Sequence, residues 1–210
     1  MDGVWTWAPA VVGVAAGPLL ARASVRLPGG APPTRRRMAA FSAACAGLGL
    51  WAQMLHPGPF GAAGALMGWT LLLLAVLDAE HFWLPLPLTA GLIVAGLLVQ
   101  AALGMAGLTA GAIAAATGFL ALRLLAWAFR RLRGREGLGG GDAWLLAGGG
   151  AWVGWLGLPT VLVWAAAGGL AAVGLFALAG RRVGADQHLP FGVGLAAGIW
   201  VTWLYGPLSG

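Results

Sequence analysis

Residues 38–55, MAAFSAACAGLGLWAQML, carry no charged side chain, and most of the remaining sequence is built the same way. Of 210 residues, 60% are apolar and only 9% are charged, where an ordinary soluble domain is about 25% charged. A soluble fold of this length has too little interior to hide so much apolar surface. The chain therefore reads as an all-α, polytopic transmembrane helix bundle. A span needs about 20 apolar residues, or about 17 when short. Breaks at prolines, glycine clusters and charges mark out about eight spans, predicted at 4–22, 38–55, 60–77, 87–105, 107–129, 142–157, 158–180 and 189–208. Only Gly157, Leu158 and Pro159 separate the sixth from the seventh. The opening MDGVWTWAPAVVGV has no positive n-region, so the first segment reads as a permanent span and not as a cleaved signal. With no longer internal repeat and no low-complexity linker, residues 1–210 read as one integral-membrane domain.

Basic residues give an independent check on this division, because cytoplasmic loops near span ends collect them. All twelve are arginines. Arg22, Arg26, Arg35, Arg36 and Arg37 surround the first connection; Arg123, Arg130, Arg131, Arg133 and Arg135 surround the fifth; Arg181 and Arg182 follow the seventh. The short connections near 56–60, 105–107 and 157–159 have none. Eight spans with both termini outside reproduce this distribution, and parity puts the connection 78–86 on the cytoplasmic side. Membrane orientation thus accounts for the net charge of +6. Without a soluble basic domain there is no nucleic-acid signal, while TRRRM at 34–38 suits contact with anionic lipid. Glycine pairs four apart, such as Gly13 and Gly17, Gly150 and Gly154, and Gly194 and Gly198, let helix backbones approach closely in lipid.

Six acidic residues remain: Asp2, Asp78, Glu80, Glu136, Asp142 and Asp186. Ionisable groups at membrane depth are costly and mark functional sites. Asp2 is terminal, and Glu136 and Asp186 lie in arginine-bearing loops where charge balance suffices. Asp78 ends the run GWTLLLLAVLD and Asp142 begins DAWLLAGGGAWVGW, so on this topology both fall at cytoplasmic span ends, at one depth. Two carboxylates sharing a site repel each other, so one stays protonated and the other ionised. That split supplies an acid and a base in one place, which is aspartyl-protease chemistry. The glycines of GLGGGD let an extended backbone pass close to Asp142, at a position where a helix begins. The plainer alternatives are that Asp142 is a helix N-cap and Asp78 a solvated span end. A carboxylate pair could also serve a small proton-coupled transporter.

LDAEHFWLPLPLT at 77–89 and GLGGGDAWLLAGGGAWVGW at 137–155 resemble the two signature regions of the type IV prepilin peptidases, membrane aspartyl proteases of the G-x-G-D class. GPLLARASVRLP at 17–28 is similar to that family's first conserved segment, and LPFGVGLAAGIWVTWLYG at 189–206 resembles its closing span. The likeness implies that Asp78 and Asp142 are the catalytic aspartates and that Gly139 and Gly141 are the motif glycines, with Glu80 and His81 as supporting residues. It further implies cleavage of a short basic leader from prepilins or type II secretion pseudopilins, after a glycine and ahead of a hydrophobic helix, at the cytoplasmic face of a bacterial inner membrane. The partner would be that substrate helix, within the lipid bilayer.

Some positions depart from the family pattern. Leu86 stands where an acid is usual, Trp144 where a lysine is usual, and Val193 where a proline is usual. Many members carry a long loop with paired C-x-x-C motifs, a zinc site and an associated N-methyltransferase activity. Here GGAPPTRRR joins the first two predicted spans, and Cys45 is the single cysteine. No disulfide framework or cysteine zinc site is built from one cysteine. The expectation is therefore no metal and no cofactor, with little material for an S-adenosylmethionine pocket. An inactive relative acting as a pilus or secretion assembly factor is the competing reading from another class.

Overall fold

The computed structural model describes residues 3–133, 139–178 and 190–208. Asp2, Arg135, Glu136, Arg181, Arg182, Asp186 and His188 lie outside the described residues. The described chain is all helical: α1 (Gly3–Arg26), α2 (Arg35–Leu55), α3 (Pro59–His81), α4 (Leu86–Ala102), α5 (Met105–Arg133), α6 (Gly140–Leu178) and α7 (Phe191–Tyr205). By length and composition α1, α2, α3, α5 and α6 can each cross a membrane, while α4 and α7 are shorter apolar helices of 17 and 15 residues. This is a multi-pass membrane protein.

The predicted sixth and seventh spans form the single element α6, and the break between them is not at 157–159. It falls at Gly154, with φ 73° and ψ 176° inside an otherwise helical run. Pro159 is the physical reason for a break in this region, because its ring clashes with the carbonyl four residues earlier, at Trp155. Gly154 is the adjacent residue able to take a positive φ without a Cβ penalty. Counted on either side of Gly154, α6 supplies two helical segments, and the described helices match the eight predicted ones in order.

The chain divides into two compact units, Met1–Leu77 and Asp78–Gly210. In the first, α1 and α2 pack backbone to backbone. A Cβ on Gly13 would lie 2.7 Å from the Cys45 carbonyl, and one on Gly17 would collide with the Ser42 backbone. Across this pair, Arg37 Nε and Nη2 donate to Ser24 Oγ at 3.1 and 2.9 Å. Trp69 Nε1 donates to the Cys45 carbonyl at 2.8 Å, tying the first part of α3 to α2.

In the second unit α6 is the central helix, packed against α4, α5 and α7. Trp152 Nε1 donates to the Leu92 carbonyl of α4 at 2.9 Å. Glycine contacts bring the other helices close: Gly118 of α5 lies against the Leu146 carbonyl, and Gly198 of α7 against the Val161 carbonyl. With no hydrophobic force between helices in lipid, this close backbone contact is what holds such a bundle.

Candidate active site

Asp78 lies in the last turn of α3. The Phe82 amide donates to the Asp78 carbonyl at 2.9 Å, and Phe82 itself takes φ 51°, which turns the chain out of the helix. A left-handed C-terminal residue is the usual way to end a helix, though glycine normally fills it. The turn leads through Trp83, Leu84 and Pro85 into α4.

The Asp78 side chain is only 6% exposed. Its Oδ2 accepts from the Val193 amide at 3.2 Å, and the Gly192 amide is directed at the same carboxylate. These are first-turn amides of α7, whose N-cap, Pro190, makes no side-chain capping bond. A helix N-terminus leaves its first N–H groups without intrahelical partners. Asp78 supplies the missing acceptor from another helix. The approach is tight: a Cβ on Gly192 would sit 2.8 Å from Asp78 Oδ2.

Asp142 is the third residue of α6 and is also 6% exposed. Its Oδ2 accepts from the Gly139 amide at 3.1 Å, and its own amide donates to the Gly139 carbonyl at 3.2 Å. The N-cap position, one of the sequence-based expectations for Asp142, is occupied by Gly139; Asp142 reaches back to it, as the acid of a capping box does.

Leu84 relates the two acids. A Cβ on Gly141, next to Asp142, would meet Leu84 Cβ at 2.7 Å, and one on Gly192, beside Asp78, would meet Leu84 Cδ1 at 3.1 Å. The loop between α3 and α4 thus lies against both acidic positions, and Asp142 is within electrostatic reach of Asp78. Two buried acids from separate helices thus flank the loop that carries Leu84.

The other predicted residues divide. Gly139 anchors Asp142, and Gly141 makes room for Leu84 instead of facing open space. Gly140, the variable position between the two motif glycines, has open space where a Cβ would stand, with nothing within 4 Å. Glu80 and His81 sit on the exposed end of α3, with His81 Nε2 3.8 Å from Glu80 Oε2. Trp144 is half-exposed and packs on Phe119 of α5, ring centroids 4.6 Å apart. Sequence reasoning missed Leu84 and the amides of Gly192 and Val193. Backbone donors leave no residue-type signature; the proline-to-glycine start of α7, PFG, was the available clue.

Residues 65–174 match the sequence profile of the Type IV leader peptidase family. Among curated proteins, the chain is 46% identical over 151 residues to a prepilin leader peptidase/N-methyltransferase of Burkholderia pseudomallei, covering 71% of this chain and 48% of that one. It is 39% identical over 156 residues to the protein of the same name from Aeromonas hydrophila, covering 74% and 53%. A third, from Dichelobacter nodosus, is 41% identical over 143 residues, covering 68% and 48%. The chain spans about half the length of these relatives. No solved structure matches it. The match over 65–174 takes in both aspartates, the loop between α3 and α4 and the glycine-rich start of α6, and on that match the chain belongs to the Type IV leader peptidase family.

Proposed function

We propose that the chain is an aspartyl endopeptidase that removes the short basic leader from type IV prepilins or type II secretion pseudopilins, with Asp78 and Asp142 as its catalytic residues. The observation that carries this reading is that two buried acids from different helices lie on either side of the Leu84 loop, within electrostatic reach of each other and next to the open backbone at Gly140. The relatives' name, prepilin leader peptidase, supplies the substrate class.

With one proton shared between them, the ionised carboxylate takes a proton from water as its oxygen attacks the peptide carbonyl carbon. The protonated carboxyl gives its proton to the carbonyl oxygen. A tetrahedral diol results, and the pair again holds one proton. The diol collapses as the C–N bond breaks: one hydroxyl returns its proton to the free carboxylate while the other carboxyl protonates the leaving nitrogen. The exposed Gly140 lets an extended substrate backbone lie near Asp142.

The same reading takes residues 1–210 as one peptidase domain, because the resembling segments run from 17–28 to 189–206. It places the protein in a bacterial inner membrane with both aspartates toward the cytoplasm, supported by the arginine distribution. The assignment is to the peptidase reaction and not to the methyl transfer in the relatives' name.

Detergent-solubilised protein incubated with a prepilin carrying its leader tests the reading. A product shortened by the leader is expected. An uncut prepilin that nevertheless co-purifies with the protein would contradict the enzyme and point to an assembly factor.

A further inference from the structure

We infer that Leu84 is a specificity-determining residue of the peptidase: its side chain limits the size of the substrate residue whose carbonyl is attacked. This rests on the peptidase reading above and deepens it, by naming what restricts the substrate at the cut. Leu84 lies toward both acidic positions. Its Cβ stands 2.7 Å from where a Cβ on Gly141 would lie, beside Asp142. Its Cδ1 stands 3.1 Å from where a Cβ on Gly192 would lie, and Asp78 Oδ2 is 2.8 Å from that same point. The leucine and the Asp78 carboxylate therefore border one methyl-sized space. Leu84 is half-buried, so part of it remains open to an incoming chain.

The loop holds this side chain firmly. Phe82, at φ 51°, turns the chain out of α3, and Pro85, at φ −62° and ψ 125°, is the buried N-cap of α4. A residue before proline is confined to extended backbone, so Leu84 has little freedom. The Pro85 carbonyl accepts from the Leu88 and Thr89 amides at 3.1 and 3.2 Å, which anchors the loop to the first turn of α4. A wall on such a support keeps its place while substrate binds.

Hydrolysis brings the carbonyl carbon of the scissile bond within reach of both carboxyl groups. The Cα of the residue before the cut is bonded to that carbon, whereas the Cα of the residue after it lies one atom further, beyond the nitrogen. The residue before the cut is the one that Leu84 crowds. Glycine has no side chain to be crowded; alanine already sets a methyl group against a branched aliphatic wall. One carbon in such a fit is worth about 10–200-fold in discrimination.

The test compares kcat/KM for a prepilin with glycine before the cut and for the same prepilin with alanine there, in detergent, using wild type, Leu84→Ala, Leu84→Val and Trp83→Ala. The readout is the alanine-to-glycine ratio within each preparation, which does not depend on the fraction of active enzyme. Wild type should favour glycine by about tenfold or more, and Leu84→Ala should raise the ratio by about tenfold. Leu84→Val keeps the Cβ beside Gly141 but loses the Cδ1 beside Gly192, so it should raise the ratio by less. Trp83→Ala, an exposed neighbour in the same loop, should leave it where it is. Equal cleavage of both substrates by wild type, an unchanged ratio in Leu84→Ala, or an equal rise in Trp83→Ala overturns the inference. If Leu84→Ala cuts neither substrate, Leu84→Val decides, and an unchanged ratio there overturns it as well. A wild-type protein that cuts no prepilin refutes the peptidase reading and the inference with it, an outcome distinct from wild-type cleavage with a ratio indifferent to Leu84.

Discussion

Asp142 carries two loads at once, and they separate by substitution. As the third residue of α6 it holds the Gly139 amide through Oδ2, which any side-chain oxygen there can do; as a proposed catalytic acid or base it must also bind and release a proton. Asp142→Asn keeps an acceptor oxygen, so its unfolding temperature should stay close to wild type while leader cleavage is lost. Asp142→Ala removes the acceptor too and should cost about 0.5–2 kcal/mol of stability, the usual range for a lost capping group. A thermal scan of the two variants side by side checks this, and equal destabilisation by both would remove the capping role. The sequence made this residue legible because a carboxylate behind three glycines in an apolar run is expensive without a purpose. It could not reveal that Asp78 accepts from an amide 115 positions away, since a backbone donor can belong to any residue type but proline and the pairing exists only once α7 has packed.

At the scale of elements, glycine does two different jobs that composition alone does not distinguish. Gly154 is needed for its conformation, at φ 73° and ψ 176°, and Gly154→Ala should destabilise the protein by about 1–3 kcal/mol. Gly47, inside α2, has neither constraint, since a methyl group added to its Cα would meet nothing within 4 Å. Gly47→Ala should stabilise by about 0.5–1 kcal/mol, because alanine loses less backbone freedom in a helix. Opposite shifts in unfolding temperature are the expected readout, and a neutral Gly154→Ala would mean that the break in α6 does not depend on glycine. The helices themselves were legible from apolar runs and their punctuation. The position of the break was not, because Pro159 signals a disturbed turn but the chain yields one turn earlier, where a residue without Cβ is available.

For the whole molecule, the twelve arginines and the two aspartates make one claim about orientation. Glu80 lies at the exposed end of α3, two residues past Asp78, and Cys45 is fully buried, so Glu80→Cys in a Cys45→Ala background offers a single reactive thiol. A membrane-impermeant thiol reagent should leave it unlabelled in intact cells and label it in inside-out vesicles; labelling from outside would reverse the proposed topology. The central claim, however, is that Asp78 and Asp142 act as one device. Residues that work as a unit are strongly non-additive: losing either costs nearly as much as losing both. The decisive measurement is the cleavage rate of one prepilin by Asp78→Asn, Asp142→Asn and the double variant, each confirmed as folded in detergent. All three should fall to the same background level, with the double variant no worse than either single one. An Asp142→Asn protein that still removes the leader at a rate near wild type would contradict the two-aspartate mechanism and leave Asp142 as the helix-capping residue that its bond to Gly139 already makes it.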